Sequence, residues 1–212
     1  MIARSTIERH SRLAALAALV VLALLAALIA LPGCGGGDSS GPDPATVAAA
    51  LTAEGWALFE AGSLDPAEVK FRAALDALGT FADAHDGLGW SLAYLDDLIG
   101  SNGSFQSAIA NGHAGADSRA GWAFVLAEKT PSDLAGAIAR AGDALALEPR
   151  FVFAHDTTVT WWDLRLLRAQ AYFEVDSLSK AAAEVESLGG IVPPPGPDFA
   201  DSLLLEIERL GA

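Results

Sequence analysis

Gly55-Trp56-Ala57-Leu58 and Gly89-Trp90-Ser91-Leu92 carry one pattern twice: a glycine, a tryptophan, and a leucine three positions after the glycine, set 34 residues apart. Both copies lie in alanine-rich runs whose apolar residues recur at helical spacing. From Asp43-Pro44 onward the chain keeps that spacing, broken by Asp-Pro, Thr-Pro, Glu-Pro and glycine stops, and nowhere alternates with the period of two that a strand needs. Asp43 and Pro44 supply an N-cap and a first-turn proline for the first helix. Gly62 ends one predicted helix, Asp65-Pro66 begins the next and Gly79 closes it. The expectation is an all-α chain of helix hairpins repeated at a fixed period.

Two further units follow this pair. The first hairpin continues with Ala67, Phe71 and Ala74 in its second helix. The second keeps Leu88-Gly89, but its second helix is expected only around Phe105 to Ala110, delayed by a loop at Gly100-Ser101-Asn102-Gly103. A third begins at Gly121-Trp122 and carries Ala137, Ala141, Ala144 and Pro149, its two helices about one turn further apart, with Thr130-Pro131-Ser132 between them. A fourth has Ala169 and Tyr172, a turn at Asp176, then Ala181, Val185 and Leu188. Phe151 to Thr160 is an insertion that the repeat does not require. After Gly189-Gly190 and the proline-rich run from Val192 to Pro197, Asp198 precedes a final helix, Phe199 to Leu210, suited to cover the last hairpin.

This pattern resembles the tetratricopeptide repeat over roughly residues 45 to 210. The resemblance implies a helical-hairpin solenoid of about four repeats with a C-terminal capping helix. The small residues Gly55, Gly89, Gly121 and Ala169 would admit the partner helix, and Leu58, Leu92, Phe124 and Tyr172 would fill the space one turn later. In that family the residue after the glycine faces a concave groove where ligands bind. Trp56, Trp90 and Trp122 would then form an aromatic ladder, joined by Phe59, Asp86, Tyr94 and, in the fourth unit, Gln170. The resemblance implies protein or peptide partners, as for envelope lipoproteins of this fold that act as scaffolds or assembly factors. An alternative is a surface receptor for carbohydrate, with the tryptophans stacking on sugar rings. Large aromatics at helical spacing are most often core, and that reading competes with both.

Ala84-His85-Asp86 and Ala154-His155-Asp156 form a second recurrence. Adjacent His and Asp point to different helix faces, so capping or surface roles are expected and no metal site. His113, in a glycine-rich loop, is expected to be solvated. Thr160 with Asp163 has the spacing of a capping box ahead of Trp161-Trp162. Neither a nucleophile elbow, a phosphate loop, a His-Glu-x-x-His motif nor a supported pair of catalytic carboxylates is present. The chain is read as a binding protein and not an enzyme, with no cofactor.

The N-terminus carries an address. Arg4, Arg9 and Arg12 precede a stretch from Leu13 to Leu31 made only of Leu, Ala, Val and Ile, followed by Pro32-Gly33-Cys34. Cys34 is the only cysteine in the sequence. The layout resembles the signal peptide and lipobox of bacterial lipoproteins, which implies cleavage after residue 33 and acylation of Cys34. Each buried methylene contributes about 0.8 kcal/mol, and stable anchoring takes more than one chain. Residues 34–44 read as the lipidated cysteine with a flexible glycine-serine tether, and 45–212 as the repeat domain. Gly35 after the cysteine, by the enterobacterial sorting pattern, implies the outer membrane. An uncleaved transmembrane anchor is the competing reading.

Removing residues 1–33 takes away three arginines and one glutamate, so the formal charge goes from −14 to −16. So acidic a body is repelled by nucleic acid, whose phosphates require clustered Lys and Arg. With Cys34 committed to lipid, neither a disulfide nor a thiolate metal site can form, and stability rests on an apolar core.

Overall fold

The computed structural model describes residues 41–212. The expected signal peptide, Cys34 and most of the expected tether lie outside the described residues. Among these residues the chain forms nine helices: α1 (Pro44–Glu60), α2 (Leu64–Ala77), α3 (Ala82–Tyr94), α4 (Leu98–Ala110), α5 (Asp117–Glu128), α6 (Leu134–Leu147), α7 (Trp161–Glu174), α8 (Leu178–Ser187) and α9 (Phe199–Leu210). They pair as four hairpins, α1 with α2 through α7 with α8. The first helices also pack on one another in succession, α1 on α3, α3 on α5 and α5 on α7, while α9 closes the stack against α7 and α8. Among the described residues no helix is long and apolar enough to cross a membrane.

The hairpin turn is a repeated local solution. Gly62, Asp96 and Asp176 adopt positive φ of 73°, 66° and 56°, each in the middle of a three-residue link. The next residue's N–H then bonds a carbonyl back in the helix: Ser63 to Leu58, Asp97 to Leu92, Ser177 to Tyr172, at 2.8–2.9 Å. Those acceptors are the residues three positions after Gly55, Gly89 and Ala169, so turn and close-packing site keep one register.

Close approach explains the small residues. A Cβ on Gly55 would lie 2.7 Å from the Phe71 ring, and one on Gly89 2.7 Å from the Phe105 ring. Phe71 and Phe105 are fully buried, each a plug between its own hairpin and the next. Gly87 and Gly121 face these same two rings from the following hairpin, and a Cβ on either would overlap them.

The second hairpin corrects the expected delay. α4 runs unbroken through Gly100 and Gly103, because Asp97 caps it by accepting from the Gly100 N–H at 2.9 Å. Ser101, Phe105 and Ala108 follow Ala67, Phe71 and Ala74 by 34 residues each. Ser101 occupies a fully buried alanine position because its hydroxyl donates to the Gly89 carbonyl at 2.7 Å. Asp133 and Gly136 repeat the same cap on α6.

The third hairpin is also corrected. Asp133 N–H bonds the Leu126 carbonyl, so Leu126 matches Leu92, and Ala123 matches Gly89. Gly121 therefore stands 34 residues after Gly87, and Phe124 takes the position of Trp90. The link to α6 is five residues against three elsewhere, two more rather than a whole turn.

Of the predicted caps, Thr160 and Asp163 form the full capping box of α7. Pro44 stands at the first turn of α1 and Asp198 at the N-cap of α9, but neither Asp43 nor Asp198 makes a side-chain cap bond. The core is continuous through the first three hairpins and takes in Phe151, Phe153 and Val159 of the insertion. A second cluster joins α7, α8 and α9 through Leu166, Ala169, Val185, Leu203 and Ile207.

Candidate functional site

The insertion between the third and fourth hairpins lies on the layer of first helices. Phe153 N–H bonds the Val159 carbonyl and Trp161 N–H the Phe151 carbonyl, with Val152 bridged to Thr160. This narrow loop drives Phe153 into a box of aromatics. Its ring stacks on Trp90 at 4.0 Å between centroids and meets Trp56 and Phe59 edge-on at 6.0 Å. Two residues on, His155 stacks on Trp56 at 3.8 Å and its Nδ1 lies 2.7 Å from Glu60 Oε1. Asp156 accepts a hydrogen bond from the Tyr94 hydroxyl at 2.6 Å. Burial and that bond to Asp156 both raise the Tyr94 pKa, so the phenol holds its proton.

The face carrying Trp56, Phe59, Trp90 and Tyr94 is thus assembled as expected, but it is not open. Phe59 and Trp90 are buried, at 5% and 3% exposure, and Trp56 and Tyr94 are half-buried beneath the loop. Trp56 and Trp90 each already carry a ring of this chain stacked on one face.

The other predicted groove residues lie elsewhere. Trp122, two positions out of register with Trp90, donates from Nε1 to Asn102 of α4 at 2.8 Å and carries the Arg140 guanidinium of α6 over its ring at 5.2 Å. It faces the layer of second helices. Gln170 sits beside Gly211, under the end of α9. Asp86 is turned into the joint between α3 and α5.

At that joint, Asp86, fully buried Ser118 and His113 form a chain. Ser118 Oγ donates to Asp86 Oδ1 at 2.6 Å and lies 2.8 Å from His113 Nδ1. Arg119 holds the loop by donating to the carbonyls of Gly115 at 2.7 Å and His113 at 3.3 Å. Burial pushes the Asp86 carboxyl up to about 8, raises Asp117 and lowers His113. His113 is therefore packed rather than solvated. The hydroxyl is sealed between acid and imidazole, which rules out the arrangement of a nucleophilic triad, where an exposed hydroxyl meets the imidazole from the other side.

His85 bonds the Gly79 carbonyl at 2.9 Å, and His155 packs on Trp56, so the two His-Asp dipeptides do not converge. In the fourth hairpin Glu184, 6% exposed, takes Arg165 and Arg168, each at 2.9 Å.

Such a stack of helix hairpins has solved counterparts. PilF of Pseudomonas aeruginosa superposes with a TM-score of 0.56 at 17% identity, over 79% of this chain and 68% of that one. A tetratricopeptide repeat protein of Parabacteroides merdae gives 0.55 at 14%, over 78% and 60%. A thermophilic protein of the same repeat class from Thermus thermophilus gives 0.51 at 16%, over 77% and 80%. The fold is a tetratricopeptide-repeat solenoid. No family model and no curated protein matches the chain by sequence.

Sequence reasoning missed Phe153, His155 and Asp156 as partners of the groove residues, and His113 and Ser118 as partners of Asp86. The one available signal was an aromatic pair, Phe151 and Phe153, alternating inside an insertion too short to fold alone.

Proposed function

We propose that this protein is a lipid-anchored component of a bacterial cell envelope, held by Cys34 on its glycine-serine tether, whose solenoid binds a protein or peptide partner. The anchor rests on the N-terminal pattern of basic residues, apolar run and single cysteine. The binding role rests on one observation, the aromatic box on the layer of first helices. That layer already holds a loop of this chain by stacking and side-chain hydrogen bonds, the means by which a partner's segment would be held.

The partner meets the composite surface of this layer and the loop, not an empty groove. Phe151 and Phe153 are fully buried, and stripping each from the core would cost about 1.5–3 kcal/mol in apolar burial alone. The loop in turn presents Val152, 42% exposed, beside exposed Ala154, Thr157 and Thr158.

Photo-crosslinking in the native host tests this. A reactive residue at Val152 is expected to capture a discrete partner that the same residue at Val69, on the outer side of α2, does not. Equal capture at both positions, or none at Val152, would refute the assigned surface. Separately, Cys34→Ala is expected to abolish lipid labelling and release the protein from the membrane fraction. Retention at full length would make the apolar stretch a transmembrane anchor.

A further inference from the structure

We propose that Asp86, His113 and Asp117, with Asp83 at the rim, form a binding site for one divalent transition-metal cation at the joint of α3 and α5. One ligand atom from each of Asp86, His113 and Asp117 lies within 4.8 Å of the other two. The residues come from α3, the loop before α5, and the first turn of α5, so the ion would tie consecutive hairpins together.

The hydrogen-bond chain decides which imidazole nitrogen is free. A serine hydroxyl has one proton. With a cation on the Asp86 carboxylate, Ser118 spends that proton on Asp86 Oδ1, and its Oγ then accepts from His113 Nδ1–H. Nε2 is left with its lone pair, 3.7 Å from Asp83 Oδ1 and 3.9 Å from Asp86 Oδ2. Both distances are too long for a hydrogen bond. They suit donors that share an ion, since ligands each about 2.0–2.2 Å from a metal stand roughly 3–4 Å apart. Fixing of the opposite ring nitrogen by a polar neighbour is the usual support of a metal-bound histidine.

Asp86 supplies an independent sign. The residue is 3% exposed, and its Oδ2 is aimed into this cluster with no hydrogen bond, only the imidazole 3.9 Å away. Three carboxylates gather here, and the nearby guanidinium of Arg119 is engaged with the backbone carbonyls of His113 and Gly115. A carboxylate so buried is relieved by a proton or by a cation. One imidazole with carboxylates, and no thiolate, is a donor set for Zn²⁺ or Mn²⁺ rather than for soft ions.

The test uses the whole chain, untagged and stripped by chelator, titrated with Zn²⁺ and with Mn²⁺ by calorimetry at fixed pH and 0.15 M salt. One ion per chain is expected with at least one of them, together with a raised thermal midpoint. His113→Gln should weaken binding at least tenfold while the helical circular dichroism is unchanged. Asp117→Asn, at a half-buried position in the first turn of α5, gives a second variant if Asp86→Asn fails to express. No saturable binding, or binding that survives undiminished in His113→Gln and Asp117→Asn, would overturn the site and leave Asp86 relieved by a proton.

Discussion

Phe153 lies on Trp90 with ring centroids 4.0 Å apart and planes 18° apart, joining residues 63 positions distant in the chain. The contact makes the insertion part of the core of the first three hairpins. Removing the ring should therefore act as a core deletion, not a loop change. Phe153→Ala is expected to destabilise the protein by about 3–5 kcal/mol in urea unfolding, and to alter the tryptophan emission. A loss below about 1 kcal/mol would mean the loop is only laid on the surface.

Gly121 faces the Phe105 ring where a Cβ would overlap it. Gly121→Ala is expected to cost about 1–3 kcal/mol in overpacking, although alanine is the better helix former. Gly142, half-buried in α6 but with nothing within 4 Å of an added Cβ, is the control: Gly142→Ala should stabilise by about 0.5–1 kcal/mol. Equal effects at the two positions would contradict the inter-hairpin plug.

Glu184 neutralises two guanidiniums from a position 6% exposed. Glu184→Ala would remove the shared acceptor of Arg165 and Arg168, which keep partial contact with solvent, at a cost of about 1.5–3 kcal/mol. Thermal unfolding should show the loss in the half that contains α7, α8 and α9, read from amide exchange in α9.

Glu206 accepts the Ile191 N–H at 2.7 Å and the Arg209 fork at 2.6–2.7 Å, which holds its pKa down at about 2. A depressed carboxylate contributes stability that is full above its ordinary value of 4.5 and is lost as pH falls toward 2. The Ile191 amide resonance is expected to stay constant down to pH 4.5 and to move only below it. A midpoint at the ordinary glutamate value would show that the tie is not formed in solution.

Much of the architecture was legible because it is local. Helical period, the turn residues Gly62 and Asp176, and the small-residue sites Gly55 and Gly89 act within one hairpin, so their signals lie a few residues apart. Two local signals misled. Gly100 and Gly103 resembled a loop, yet Asp97 caps the helix that contains them. Gly121-Trp122 copied the earlier dipeptides but stands at the position of Gly87-Leu88, because in that hairpin the close-packing site is filled by Ala123.

The candidate site divided along the same line. From sequence alone came a stack of hairpins, an aromatic face on its first helices and a cysteine placed for lipid. Only the folded chain decided that the aromatic face is filled by Phe153 and His155, that Trp122 turns to the other layer, and that Asp86 meets Ser118 and His113. Helix and turn propensities depend on neighbours in the chain. Burial of a ring or a carboxylate depends on which distant segment occupies the remaining volume, and no short-range pattern records that.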